Sequence, residues 1–143
     1  MKPLLIVASP YYADIHAMLL AGAERALKAA GFTYEIVLVP GALEIPAAVA
    51  IAHRSNHYSG YVALGCVIRG ETHHFDVVAN ESARGLMDLS VREAACIGNG
   101  ILTTENEEQA ILRADPAQGD KGGEAAKAAI ALIHHQSKRG ARA

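Results

Sequence analysis

The sequence predicts an α/β domain: a four-stranded parallel sheet with helices on both faces. Three observations lead to it. Strand-like apolar runs alternate with segments of 3.6-residue period, and this alternation demands a mostly parallel sheet between helical layers. Two of the runs are apolar throughout, as in strands covered on both faces. The length of 143 residues corresponds to about one domain, since domains run to roughly 100–200 residues, so residues 1–143 read as a single domain. Right-handed crossovers leave few topologies for so short a chain, and the three-layer, flavodoxin-like order is the commonest.

Leu4–Ala8 is an apolar run stopped by Ser9 and Pro10, and reads as a strand buried on both faces. From Ala13 the period changes. Ile15, Leu19, Ala23 and Leu27 recur every fourth residue, and Gly31 supplies a C-terminal stop. Residues 32–39 alternate and are rich in β-branched side chains, giving a second strand ended by Pro40 and Gly41. Residues 42–54 carry Ile45, Val49 and Ala52 on one side, with Pro46 tolerated in the first turn of a helix. Gly60–Ile68 is a third, apolar strand, residues 75–95 form a long helix, and residues 97–102 the fourth strand. A short helix is expected over 106–113, a Pro- and Gly-bearing loop over 114–123, and a last helix from Glu124 to Gln136. The basic stretch 138–142 is expected to fray, having little apolar surface to dock.

Composition excludes several function classes. With 51% hydrophobic and 20% charged residues and a net charge of −2, the chain is neither disordered nor a general nucleic-acid binder, which would need a basic face. No run approaches the ~18 apolar residues that span a bilayer, and the first apolar stretch is too short for a signal peptide. Neither a nucleic acid nor a membrane is expected as a partner, and the expected location is cytoplasmic. Aromatic residues make up only 5% and Trp is absent, so the core must be built from Ala, Val, Ile and Leu. Cys66 and Cys96 each sit in an apolar run and read as small core residues in a reducing compartment rather than a disulfide.

In sheets of this kind the ligand crevice lies outside the carboxyl ends of the strands, which selects residues 9–12, 40–44, 66–74 and 99–106. The third segment is the most informative. Gly65-Cys66-Val67-Ile68-Arg69-Gly70-Glu71-Thr72-His73-His74-Phe75 takes a strand through a glycine turn into a helix start. Free N–H groups and the helix dipole make an anion site there. Thr72 is placed to cap the helix, with His73 and His74 in its first turn, where the dipole favours a neutral imidazole able to act as a base. The same residues would serve equally as a cap and first turn without a ligand. A His–His metal pair is the weaker reading, because adjacent helical residues point about 100° apart and no Cys or carboxylate is spaced to complete a site.

The other strand ends leave alternatives open. Residues 9–12 lack the glycines of a mononucleotide phosphate loop, and no clustered Asp residues mark a phospho-accepting site. Tyr11 and Tyr12 either offer a stacking platform for a flat ring or cover the sheet edge. Glu44 stabilises a helix N-terminus or accepts hydrogen bonds from a polyol. Arg113, ending the short helix before the loop that carries Lys121, complements the helix C-terminus or clamps a phosphate.

Three long runs carry a family resemblance: Val39-Pro40-Gly41-Ala42-Leu43-Glu44-Ile45-Pro46, Leu64 through Phe75, and Gly100-Ile101-Leu102-Thr103-Thr104-Glu105-Asn106-Glu107-Glu108-Gln109-Ala110. Leu20-Ala21-Gly22-Ala23 and Asp120-Lys121-Gly122-Gly123-Glu124-Ala125-Ala126 match as well. Together they resemble lumazine synthase (6,7-dimethyl-8-ribityllumazine synthase), the penultimate enzyme of riboflavin biosynthesis, over almost the whole chain in one register. The resemblance implies a transferase that condenses 5-amino-6-(D-ribitylamino)uracil with 3,4-dihydroxy-2-butanone 4-phosphate, releasing phosphate and water, with no metal or redox cofactor.

Carried over by position, His74 corresponds to the family's catalytic histidine. Tyr11, Ala42, Leu43, Glu44, Cys66, Val67, Ile68 and Asn99 correspond to residues around the ribitylaminouracil, with Tyr11 stacking on the pyrimidine and Glu44 meeting the ribityl chain. Glu71, Thr72, Arg113 and Lys121 correspond to the butanone-phosphate contacts. Two positions depart from the family's pattern: Tyr11 stands for a usual Phe or Trp, and Asn99 for a Phe that many members place over the substrate. The implied partners are small-molecule substrates, riboflavin synthase and further copies of the chain. These copies form a homopentamer with active sites between subunits, Asn99 and Arg113 reaching across to Tyr11 and His74. The chain starts almost at its first strand, without the extension that in some members reaches a neighbour, which favours the pentamer over a sixty-subunit shell. Competing readings on the same fold are a flavin- or lumazine-binding paralogue without turnover, an archaeal-type riboflavin synthase, and a structural shell around a partner enzyme.

Overall fold

Four strands, β1 (Leu4–Ala8), β2 (Tyr34–Leu38), β3 (Gly60–Ile68) and β4 (Ile97–Thr104), pair in parallel in the order β2-β1-β3-β4. This is the computed structural model of the protein, and it describes residues 1–139. The helices are α1 (Ala13–Ala29), α2 (Ile45–Arg54) preceded by a 3-10 turn (Ala42–Glu44), α3 (His74–Arg92), α4 (Glu107–Ala114) and α5 (Lys121–Lys138). The expected flavodoxin-like three-layer sandwich is the observed one.

The period of two along each strand divides the core in half. Leu4, Ile6 and Ala8 of β1, with Val62 and Leu64 of β3, face α1, α4 and α5. Leu5 and Val7, with Tyr61, Ala63 and Val67, face the 3-10 turn, α2 and α3. Both faces of the central strands are therefore dry, as their unbroken apolar composition requires. The edge strand β2 is different: Ile36, Val37 and Leu38 are exposed despite their apolar character.

Several boundaries differ from expectation, each for a local reason. β4 runs two residues further, to Thr104, because Thr103 and Thr104 pair with Val67 and Ile68. α3 ends at Arg92 rather than near 95, because Ala94 takes a left-handed conformation (φ 53°) that cannot continue a helix. α5 starts at Lys121, so Gly122 and Gly123 lie in its first turn and not in the loop. Asp120 caps that turn by accepting the Gly123 N–H at 3.3 Å. The glycines are required by close approach: a Cβ on Gly122 would collide with the Leu19 carbonyl oxygen of α1, and one on Gly98 with the Ala125 carbonyl oxygen of α5. Among the described residues no helix is long and apolar enough to cross a membrane. The stretch expected to fray is described only at Lys138, which ends α5, and at Arg139; the rest of it lies outside the described residues.

Overpacking against a backbone carbonyl typically costs about 1–3 kcal/mol. Gly98→Ala is expected to lose stability in that range in urea unfolding followed by circular dichroism. Gly70→Ala, with nothing within 4 Å of its would-be Cβ, should stay within about 0.5 kcal/mol of the parent.

Candidate active site

The carboxyl ends of β1, β2 and β3 open together onto a cavity of about 430 Å³. Its floor is the end of β3, where Cys66, Val67 and Ile68 run out of the sheet. One wall is the turn Pro40–Glu44, drawn in by Ser9: its hydroxyl donates to the Pro40 carbonyl at 3.3 Å, and its own N–H donates to the Leu64 carbonyl at 3.0 Å. The segment folds as a tight 3-10 turn, with the Glu44 N–H on the Gly41 carbonyl, before Pro46 enters the first turn of α2.

The opposite wall is the start of α3. His73 occupies the N-cap position with no side-chain cap bond, so Thr72 sits one residue further out than expected. Its hydroxyl instead accepts the His74 N–H at 3.3 Å. The next turn presents Phe75 and Val78 to the same cavity, a spacing of three along the helix. Across the mouth stands Tyr11, 75% exposed, its ring set edge-on to Tyr12 at 5.0 Å and 80°. Tyr12 is half-buried against the core beneath. Burial, with Cys66, Tyr11 and Glu107 nearby, pushes its hydroxyl above the ordinary tyrosine range, so it stays protonated. Burial, followed by the charge of Glu107, pushes the Cys66 thiol up to about 11. At neutral pH Cys66 is therefore an uncharged wall rather than a nucleophile.

The arrangement offers a ring face, a small-residue turn with one carboxylate, a helix start whose His74 N–H is taken by the Thr72 hydroxyl, and one imidazole. A larger hollow of about 510 Å³ lies near Lys2, His53, Tyr61 and Cys96, at the amino ends of β3 and β4. It is away from the strand ends where parallel sheets bind ligands. His53 there is satisfied, with the Tyr61 hydroxyl at 3.1 Å from one ring nitrogen and the Glu93 carbonyl at 3.3 Å from the other.

The family model for 6,7-dimethyl-8-ribityllumazine synthase matches residues 2–137. The chain is 60% identical over 133 residues to the 6,7-dimethyl-8-ribityllumazine synthase of Novosphingobium aromaticivorans, covering 93% of this chain and 95% of that one. It is 57% identical over 141 residues to the enzyme of the same name from Erythrobacter litoralis, covering 99% and 100%. A third relative, 6,7-dimethyl-8-ribityllumazine synthase 1 of Rhizobium meliloti, is 57% identical over 143 residues, covering 96% and 94%. This chain belongs to the lumazine synthase family. Relatives at this identity support an enzyme of riboflavin biosynthesis, and neither a binding paralogue without turnover nor an archaeal-type riboflavin synthase is favoured.

Of the residues that the lumazine synthase resemblance marks, the cavity gathers Tyr11, Ala42, Leu43, Glu44, Cys66, Val67, Ile68, Thr72 and His74. Four others do not line it. Glu71 is exposed on the turn. Asn99 is exposed on the edge strand β4, where its Oδ1 accepts the Ile101 N–H at 2.9 Å. Arg113 lies in the last turn of α4, with one guanidinium nitrogen donating to the Gln109 carbonyl at 3.3 Å. Lys121 pairs with Glu124 at 3.2 Å in the first turn of α5. Ser9, Gly70, Phe75 and Val78 line the cavity without having been singled out for it. Phase along α3 could have identified Phe75 and Val78. Ser9 gave no signal beyond its place at a strand end.

A thiol raised from 9 to about 11 carries roughly a hundredfold less thiolate at neutral pH. Iodoacetamide should modify Cys66 correspondingly slowly there, with a rate that climbs until the pH approaches 11, as followed by peptide mass mapping. Rapid labelling near neutrality would contradict the assignment of a protonated thiol.

Proposed function

We propose that this chain condenses 5-amino-6-(D-ribitylamino)uracil with 3,4-dihydroxy-2-butanone 4-phosphate to 6,7-dimethyl-8-ribityllumazine, in a cavity completed by a neighbouring copy. The observation that carries the reading is the meeting, at one cavity, of the Tyr11 ring, the Ala42–Glu44 turn, the end of β3 and the Thr72–His74 helix start. Tyr11 stacks on the pyrimidine, and Glu44 accepts hydrogen bonds from the ribityl hydroxyls. Cys66, Val67 and Ile68 flank the uracil. The backbone amides of the turn that Glu71 and Thr72 supply, just ahead of α3, hold the phosphate.

The primary amine of the pyrimidine attacks the ketone to give an imine with loss of water, phosphate is eliminated, and ring closure with loss of a second water follows. The amine is already nucleophilic, so the protein supplies orientation and proton transfer, the latter from His74. No metal or redox group is called for by these steps.

A single chain leaves the cationic part of such a site outside the cavity, and its surface supports a homo-oligomer. Leu43, Val77, Met87 and Val91 are exposed on the 3-10 turn and α3, Met87 at 62% and Val91 at 74%. With Ile36, Val37 and Leu38 of the edge strand β2 they are exposed apolar side chains of the kind that an interface between copies would cover. The proposed assembly is a pentamer in which Asn99 and Arg113 of one copy, with Lys121 near the phosphate, complete the cavity of the next. The same reading places the enzyme in the cytoplasm, with riboflavin synthase as a partner.

Mixing the purified chain with both substrates should yield the fluorescent lumazine, and absence of that product would overturn the assignment. His74→Ala should lower kcat by about 10–100-fold without abolishing turnover. Arg113→Ala should chiefly raise KM for the butanone phosphate by removing a charge-assisted clamp, and an unchanged KM would refute that role. Sedimentation velocity distinguishes five copies from a larger shell.

A further inference from the structure

The turn that carries Thr72 and His74 has little of its own to hold it. Gly70 has no atom within 4 Å of its would-be Cβ, and Glu71, Thr72, His73 and His74 are all exposed. Arg69 stands immediately before this turn. Its backbone N–H donates to the Thr104 carbonyl at 2.9 Å, continuing the β3–β4 ladder one step past the strands.

Its side chain reaches three further places. Nε donates to Glu105 Oε1 at 2.9 Å, beyond the end of β4. Nη1 lies 3.6 Å from Asp76 Oδ1 in the first turn of α3. The guanidinium carbon sits 4.3 Å from the centroid of the Phe75 ring, which lines the cavity. Asp76 is in turn 3.5 Å from His73 Nδ1. One planar cation thus spans from the end of β4, across a cavity-lining ring, to the helix start beyond the turn. Only a flat, forked cation can stack on a ring and meet carboxylates at its edge in this way. With two carboxylates beside it, this guanidinium is engaged with the protein rather than free to meet a phosphate.

We propose that Arg69 is a positioning residue for the butanone-phosphate half of the site: with Glu105 and Phe75 it holds the 70–74 turn so that the helix-start N–H groups and His74 converge on one substrate. The proposal rests on the reading of that helix start as the phosphate site. Exposed ion pairs contribute little to global stability, so the effect of the clamp lies in the geometry of the turn, and small misplacements there are costly to turnover.

The test is steady-state kinetics of the assembled enzyme with each substrate varied, for Arg69→Met, Arg69→Lys, Glu105→Gln and the Arg69→Met/Glu105→Gln pair. Arg69→Met should raise KM for the butanone phosphate by about tenfold while leaving KM for the ribitylaminouracil nearly unchanged and the urea midpoint near wild type. Arg69→Lys should recover only part of the loss, since it restores the charge without the planar fork. Glu105→Gln should move KM in the same direction, and the pair should be no worse than Arg69→Met alone, because both substitutions break one clamp. If Glu105→Gln lowers KM for the butanone phosphate, the freed guanidinium grips phosphate directly and the positioning role is overturned. If wild type turns over and Arg69→Met leaves that KM unchanged, the clamp alone fails. If wild type forms no lumazine, the parent reading fails and the proposal falls with it.

Discussion

The parallel pairing of β3 with β4, unbroken from Tyr61 opposite Ile97 to Ile68 opposite Thr104, is the constraint from which the candidate site follows. β3 is the longest strand and lies inside the sheet, held by β1 on its other side. Its carboxyl end therefore cannot move without breaking a ladder of buried hydrogen bonds. The ladder continues into the Arg69 N–H and the Thr104 carbonyl, which fixes the point at which the chain leaves the sheet. From that point a short turn delivers Thr72 and His74 opposite the Ala42–Glu44 turn.

Close packing on the far face makes this rigidity possible. α5 lies so near the sheet and α1 that only glycine fits at positions 98 and 122. A core with few aromatics is built here from Ala and Gly contacts between backbones, and dispersion between closely apposed atoms replaces the bulk that large side chains would have supplied. The helices of that face can then sit flush, while the cavity forms among the strand ends and the helices of the other face.

The chemistry of the cavity is set by what burial does to its groups. Cys66 and Tyr12 are kept neutral, so the pocket wall under the proposed pyrimidine carries no competing charge. The charged and polar groups that a phosphate or polyol would meet stand at the rim instead: Glu44, Thr72 and His74. Exposed apolar surface starts at this rim with Leu43 of the 3-10 turn. A neighbour covering that surface would also dehydrate the site, which strengthens every electrostatic contact within it.

Much of this was legible in the chain alone, because local periodicity and turn residues depend only on near neighbours. β1 and β3 are found at the expected residues, and of the four segments that the strand-end rule picked out, 9–12, 40–44 and 66–74 line the cavity while 99–106 does not. Tertiary contact decided the rest. Gly122 and Gly123 look like loop residues in sequence, yet they lie in the first turn of α5, where a Cβ would collide with the Leu19 carbonyl of α1 at 122 and with the capping Asp120 side chain at 123. Thr103 and Thr104 extend β4 because β3 offers them partners. Arg69 gave no signal in sequence, since its three contacts come from Glu105, Asp76 and Phe75, which only folding brings around one guanidinium. By itself the sequence determined the alternation of strands and helices, and so the edge of the sheet where a ligand would sit. Which side chains meet at that edge, and which stand clear of it, was settled by packing between segments distant in the chain, because such contacts leave no period in the sequence.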